Sequence, residues 1–298
     1  MSTPFEGRVL VTGAAGMLGS ELLLTAPDGV HPIGTDLRAA PDGNPAVEIV
    51  GVDLTSAREV DELVASLLPL AGILHPAAYT AVDRAEEESE LAHRVNAVAA
   101  GNLARAAARH GIPMVLVSTD FVFDGTAREP YRPEDPVAPL GVYGRTKYEG
   151  EERCRAEHPE GLAVVRTQWL YGPRGQHFPG TILRLAEERD ELRVVSDQVG
   201  SPTSTLELAP ALWDVLVLGG RGTYHAACEG EASWYDFAAA AVELAGRKTT
   251  VHPCTTEEFP RPAPRPAYSV LDSSRLAALR GKPLAPWREA LATFLNRP

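Results

Sequence analysis

Lysine is nearly missing from this chain. Of 28 basic residues only Lys147, Lys248 and Lys282 are lysines, a bias that genomic base composition explains. Cysteine is as sparse. Cys154, Cys228 and Cys254 lie far apart, in no metal-ligand spacing, and their odd number fits no simple disulfide framework. A reducing cytoplasm is the expected setting, and no metal is expected. Positive charge is also in deficit: a formal net charge of -12 disfavours nucleic acid and anionic membranes as partners, because both repel an acidic protein. No stretch approaches the roughly 20 apolar residues of a membrane-spanning helix. The start of the sequence lacks a basic region followed by an apolar run, so no leader is expected either.

What is present is a globular chain of 298 residues with 44% hydrophobic content, enough for one large α/β unit or a nucleotide-binding domain with a smaller companion. Short apolar runs recur through the first half: GRVLVTG, VHPIGTD, VEIVGVD, GILHPAA, PMVLVST and GLAVVRT. Each has the length of a buried strand, and the spacing leaves room for a helix between them. That rhythm predicts a doubly wound parallel sheet, Rossmann-like, in an α/β fold. The clearest helix, residues 89–110, sets Leu91, Val95, Val98, Asn102 and Leu103 on one stripe and closes at Gly111 before Pro113. Past residue 166 the rhythm loosens. Helical patterns over residues 181–189, 206–218, 234–245 and 286–296 mix with short strands and loops. We therefore expect a dinucleotide-binding domain over 1–166 and a mostly substrate-binding domain over 167–298, with about 204–228 a candidate to return to the first. The proline-rich stretch FPRPAPRPAY, residues 259–268, reads as an ordered loop near the site.

The first strand runs into TGAAGMLGSE, which places Gly13, Gly16 and Gly19 directly ahead of a helical pattern. Such glycines permit a tight turn, a close approach of backbone to pyrophosphate and close helix–strand packing, while the helix N-terminus faces the phosphate charge. Asp36 ends the second strand, where a carboxylate accepts from ribose hydroxyls and repels a 2′-phosphate; Arg38, two residues on, works against that preference. Asp53 is a candidate for the adenine edge or for the start of the helix that follows.

Tyr143 and Lys147 stand four apart in VYGRTKYEG. The chance expectation for such a pair is only roughly 0.08 at this composition. On a helix the two side chains share a face. A nearby ammonium lowers a phenol's pKa from about 10 and makes it a usable proton donor or acceptor. Arginine's planar fork is a poor replacement for a compact ammonium that must also reach a ribose. Ser118 and Thr119 end the fifth strand candidate, at the sheet edge where ligands of open α/β folds bind, and Thr119 is placed to hydrogen-bond a carbonyl.

With TGAAGMLG, PAAYTAVDRAE, STDFVFDG, YGRTK, VRTQWLYGPRG, DQVGSPTS and YHAACEGEASWYDFA on the page, the chain resembles the extended short-chain dehydrogenase/reductases, and among them the dTDP-4-dehydrorhamnose reductase family. The resemblance spans nearly the whole chain, and its later stretches are the specific ones. It implies NADH or NADPH as cofactor, a nucleotide-diphosphate deoxysugar as substrate and homodimerisation as one possible assembly. It implies Thr119, Tyr143 and Lys147 as the catalytic set. Cofactor contacts fall on Gly13, Gly16, Met17, Leu18, Gly19, Asp36, Asp53, Leu54, Ala77, Ala78 and Tyr79, besides Tyr143 and Lys147. Substrate contacts fall on Thr119, Asp120, Phe121 and Trp169 around the sugar, and on Gln198, Thr203 and Arg265 toward the nucleotide diphosphate. The chain departs from many relatives at Gln168, where they carry Ser, and at Tyr268, where they carry Asn.

Two rival activities on this fold remain. A dehydratase carries an Asp-Glu pair after the threonine, whereas here Asp120 is followed by Phe121. An epimerase uses the same Thr, Tyr and Lys without net consumption of reduced cofactor. A binding module, resembling the regulatory subunit of methionine adenosyltransferase, is the alternative from another class.

Overall fold

The computed structural model describes residues 5–37 and 49–297. Arg38 lies outside them. The six apolar runs form strands β1 (Gly7–Thr12), β2 (Val30–Asp36), β3 (Ile49–Gly51), β4 (Gly72–His75), β5 (Met114–Thr119) and β6 (Leu162–Thr167), and a later strand, β7 (Gly222–His225), joins the same sheet. The order is β7-β6-β5-β4-β1-β2-β3 and every pairing is parallel. Strands β4, β5 and β6 are buried along their full length, which is why they read as continuous apolar runs rather than alternations.

Helices cover both faces. Against one face pack α1 (Met17–Leu24) and, much later in the chain, a helix spanning Thr205–Val217. Their Leu18, Leu22, Leu212 and Trp213 bury against Val9, Val11, Val115 and Val165 of the strands. Against the other pack α2 (Ala57–Ser66), α3 (Ala99–Arg109) and α4 (Val142–Glu157), burying Val60, Leu103 and Cys154 against Leu10, Ile73, Leu116 and Val164. The odd and even positions of each strand thus serve opposite layers, as the two-residue period of a strand requires.

The helix expected over residues 89–110 is interrupted. An α segment (Ser89–His93) passes through a π turn (Arg94–Val98) before α3 begins. The wider turn rotates the face, so Leu91, expected on the apolar stripe, is 38% exposed. It also turns Asn96 inward. There Asn96 Oδ1 accepts from the Tyr79 amide (2.8 Å) and Nδ2 donates to Thr146 Oγ1 (3.1 Å), tying the loop after β4 to α4. Single π turns of this kind commonly sit beside functional sites.

Beyond β6 the chain builds three two-stranded sheets and a helical layer. Leu170–Tyr171 pairs Thr203–Ser204, Val199–Gly200 pairs Ala232–Ser233, and Glu191–Val195 pairs Thr250–Cys254. The helices expected over 181–189, 206–218, 234–245 and 286–296 form at Phe178–Glu188, Thr205–Val217, Trp234–Leu244 and Trp287–Leu295. Among the described residues no helix is long and apolar enough to cross a membrane.

Candidate active site

Strands β1 and β4 are neighbours whose connections run to opposite sides, the point at which an open α/β sheet leaves a crevice at its carboxyl edge. A cavity of about 1020 Å³ opens there. Gly13, at φ +57, starts its inner wall, and a Cβ on it would lie 2.9 Å from Ala77 Cα. A side chain on Gly19 would overlap the Gly13 carbonyl. The turn therefore exists only with glycine, and it leaves bare backbone at the N-terminus of α1. Asp36 closes the turn, since Oδ2 accepts from the Ala15 amide (3.1 Å) and Oδ1 from the Leu37 amide (2.8 Å). Gly16, Met17, Leu18, Asp53, Leu54, Ala77, Ala78 and Tyr79 line the same cavity. Asp53 Oδ1 accepts from the Thr55 amide (2.9 Å) and hydroxyl (2.8 Å), so its carboxylate also organises the start of α2. A glycine cradle, a helix N-terminus and a carboxylate at the end of β2 together fit a dinucleotide.

Thr119, Tyr143 and Lys147 meet on the wall opposite the cradle. Thr119 ends β5, and its hydroxyl accepts from the Phe121 amide (3.2 Å) and donates to Asp120 Oδ1 (3.0 Å). Tyr143 and Lys147 share one face of α4. The Phe121 ring meets the Tyr143 ring edge-on, centroids 5.5 Å apart. Lys147 is 4% exposed and its Nζ donates to the Val117 carbonyl (2.7 Å). Burial pulls its pKa down to about 8, with the Glu151 carboxylate pulling the other way.

The phenol does not behave as the spacing suggested. Burial pushes Tyr143 up to about 12, the Thr119 hydroxyl opposes this and the Asp120 charge adds to it. Removal of solvent from the ring dominates, and the Lys147 ammonium, one of whose three protons goes to the Val117 carbonyl, does not offset it. Tyr143 is accordingly a neutral phenol throughout the physiological range. Burial also raises Asp120 to about 6, against the hydroxyls of Ser269 and Thr119.

Two further features of this region escape the sequence reading. Glu151, fully buried, continues the Tyr143–Lys147 stripe by another four residues. Its Oε1 accepts from Ser118 Oγ (2.5 Å) and Arg166 Nε (3.0 Å), and its Oε2 from Arg166 (2.7 Å) and Arg155 (2.9 Å). Burial disfavours its charge, yet the guanidiniums hold the carboxyl below its usual range. The repeated four-residue spacing was the available signal. The second is His75, at the end of β4, with Nδ1 2.6 Å from Thr12 Oγ1. Burial, and then the Lys147 charge, push it down to about 3, so it stays neutral. No local pattern marks it.

The substrate-side residues divide. Phe121, Trp169, Gln198 and Arg265 line the cavity, Asp120 lies at its floor, and Phe259, Arg261 and Pro266 bring the proline-rich loop to its rim. Trp169 adopts φ +48 and stacks on Trp234 at 3.6 Å between centroids. Arg265 donates to Asp83 Oδ1 (2.6 Å), which fastens that loop to the short helix Val82–Ala85. Thr203 is absent from the wall. It is fully buried, with its hydroxyl donating to the Ser201 carbonyl (3.0 Å), because the pairing of Thr203 with Leu170 turns it inward. Its amide donates to the Trp169 carbonyl (3.2 Å), so it holds the tryptophan.

A glycine-cradled crevice facing a Thr, Tyr and Lys set on a doubly wound sheet defines an oxidoreductase of the extended short-chain dehydrogenase/reductase class. The chain belongs to the family described as "RmlD substrate binding domain", which it matches over residues 7–298. It is 41% identical over 290 residues to dTDP-4-dehydrorhamnose reductase of Mycolicibacterium smegmatis, covering 95% of this chain and 84% of that one. Among solved structures, a dTDP-4-dehydrorhamnose reductase from Clostridium acetobutylicum superposes with a TM-score of 0.89 at 40% identity, covering 97% of this chain and 99% of its own. The Bacillus anthracis dTDP-4-dehydrorhamnose reductase, solved with NADP, gives a TM-score of 0.89 at 36% identity, covering 97% of this chain and 98% of its own.

Proposed function

We propose that the protein is an NAD(P)H-dependent reductase of the 4-keto group of a nucleotide-diphosphate deoxysugar, converting dTDP-4-dehydrorhamnose to dTDP-L-rhamnose. The observation that carries this reading is the meeting of Thr119, Tyr143 and Lys147 on a cavity whose other wall is the glycine turn. The names of the relatives support the substrate.

In this reading Gly13, Gly16 and Gly19 hold the pyrophosphate with Met17 and Leu18, Asp36 accepts from the adenosine ribose, and Asp53 and Leu54 border the adenine. Ala77, Ala78 and Tyr79 flank the middle of the cofactor. Reduced nicotinamide, when bound, supplies the hydride. Thr119 donates to the carbonyl oxygen and orients it. Tyr143, a neutral phenol, gives its proton to that oxygen as negative charge develops there, and Lys147 stabilises the phenolate left behind while holding the nicotinamide ribose. Phe121 and Trp169 wall the sugar, and Gln198 and Arg265 face the nucleotide diphosphate, with Asp83 orienting Arg265.

The test mixes the protein with dTDP-4-dehydrorhamnose and NADH or NADPH, follows loss of nicotinamide absorbance and identifies the sugar. Stoichiometric cofactor consumption with dTDP-L-rhamnose as product is expected. Conversion without net consumption would make it an epimerase. No turnover, together with co-purification of a larger partner enzyme, would make it a regulatory subunit.

A further inference from the structure

Three polar atoms around the Tyr143 wall have no partner among the described residues: Asp120 Oδ2, Thr167 Oγ1 and Gln168 Nε2. Their residues line the cavity and are only 1%, 4% and 2% exposed. Buried polar groups without partners are costly and rare, and a cluster of them calls for a ligand. The sheet sets their placement. Thr119 and Thr167 are register partners on β5 and β6, so their side chains lie on the same face about 4.8 Å apart. Two hydroxyls at that spacing can each reach one of two oxygens on adjacent ring carbons.

The chemistry of the three is complementary. Asp120 Oδ1 is occupied by Thr119, and the nearby Ser269 hydroxyl, which favours the Asp120 carboxylate, gives its proton to Gln168 Oε1, which leaves Oδ2 as an acceptor. Gln168 Oε1 accepts from Ser269 Oγ (3.3 Å), which turns Nε2 outward as a donor. Thr167 is both. A sugar hydroxyl, which donates once and accepts, satisfies such a set; a methyl or methylene satisfies none of it.

We infer that Asp120, Thr167 and Gln168 form a hydroxyl-reading subsite that selects sugars bearing a free hydroxyl on the ring carbon next to the carbonyl. The inference rests on the proposed 4-keto reduction for which carbonyl Thr119 addresses, and it makes Thr167 and Gln168 specificity determinants. A site built to hydrogen-bond a hydroxyl discriminates strongly against the analogue lacking it, since its own polar groups are then left unpaired.

The experiment compares dTDP-L-rhamnose with its 3-deoxy analogue in wild type, Thr167→Val and Gln168→Leu. It reads calorimetric affinity, and NADP⁺-dependent oxidation of the sugar as the reverse of the proposed reaction. Wild type is expected to favour the hydroxylated sugar by roughly 100-fold or more. Each variant should lower that ratio to about 10-fold or less, and bind the 3-deoxy sugar no worse than wild type. Thr167→Val removes no side-chain hydrogen bond made among the described residues, so its melting temperature should not fall, whereas Gln168→Leu gives up the bond from Ser269 Oγ (3.3 Å) and its melting temperature serves as the control for folding. A ratio that is unchanged in both variants, or absent in wild type, overturns the subsite. If the affinities follow expectation while neither sugar is oxidised, the subsite stands and the reductase reading fails.

Discussion

At the scale of single residues, the proposed active site is a set of groups held in the protonation state the proposed reaction needs. Tyr143, pushed up to about 12, keeps its proton and is ready to give it to a nascent alkoxide, the direction that a reductase runs. Tyr143→Phe removes the hydroxyl that carries that proton. Turnover should fall by about 100 to 10,000-fold, while nicotinamide affinity, measured by fluorescence titration, stays unchanged. Lys147 carries the opposite strain. Its pKa drops from 10.5 to about 8, so below pH 8 the folded chain holds a charge that burial disfavours. Between those two values the unfolded chain binds more protons than the folded one, and stability therefore rises with pH. Lys147→Met should accordingly melt higher than wild type at pH 7, with the difference shrinking toward pH 10, as differential scanning calorimetry at the two pH values can establish. Inactivity with added stability is the expected mark of a group kept for chemistry.

At the scale of elements, α4 is the part on which most depends, because it carries Tyr143, Lys147 and Glu151 on one stripe. It packs closely at both ends of that stripe: a side chain on Gly144 would run into the Phe121 carbonyl, and one on Gly150 into the Asn96 carbonyl of the π turn. Beneath it the Glu151 carboxylate neutralises Arg166, itself 2% exposed. Glu151→Ala leaves that guanidinium buried with its charge unmatched, and should destabilise the fold by about 3–5 kcal/mol. Urea unfolding would measure this, and pairing the change with Arg166→Met should recover much of the loss. Much of this architecture was legible in the sequence. The buried strands announced themselves as unbroken apolar runs, and the glycines and the Tyr143–Lys147 pair are local patterns. The π turn was not, since nothing in RVNAV distinguishes it from an ordinary helical turn, and Leu91 was therefore set on the wrong face. Thr203 was also misplaced, because its pairing with Leu170 joins segments far apart in sequence. Thr167 and Gln168 lie in VRTQWLYGPRG, but that stretch assigns them no role; their unpaired atoms become meaningful only once Thr119 and Ser269 are seen beside them.

At the scale of the whole molecule, the buried neutral histidines set the response to acid. His75 and His225 are both pushed down to about 3 by burial, followed by the Lys147 and Arg166 charges respectively. As pH falls below 6.5 the unfolded chain takes up protons at both positions and the folded chain does not, so stability declines down to about pH 3. Asp120, raised from 3.8 to about 6, works the other way between those values but is a single group against two. The urea midpoint should therefore drop between pH 7 and pH 5, and the His75→Asn, His225→Asn double variant should show a flatter profile. The order of the sheet has a last consequence, for biosynthesis. Among the described residues, Leu162–Thr167 is completed on its outer side by Gly222–His225 alone, some fifty residues downstream. Until the ribosome has delivered that segment, a strand that is buried along its whole length in the finished fold stands with its amides and carbonyls unmatched, open to pairing with another nascent chain. A message truncated in that interval would yield aggregate rather than a smaller working protein.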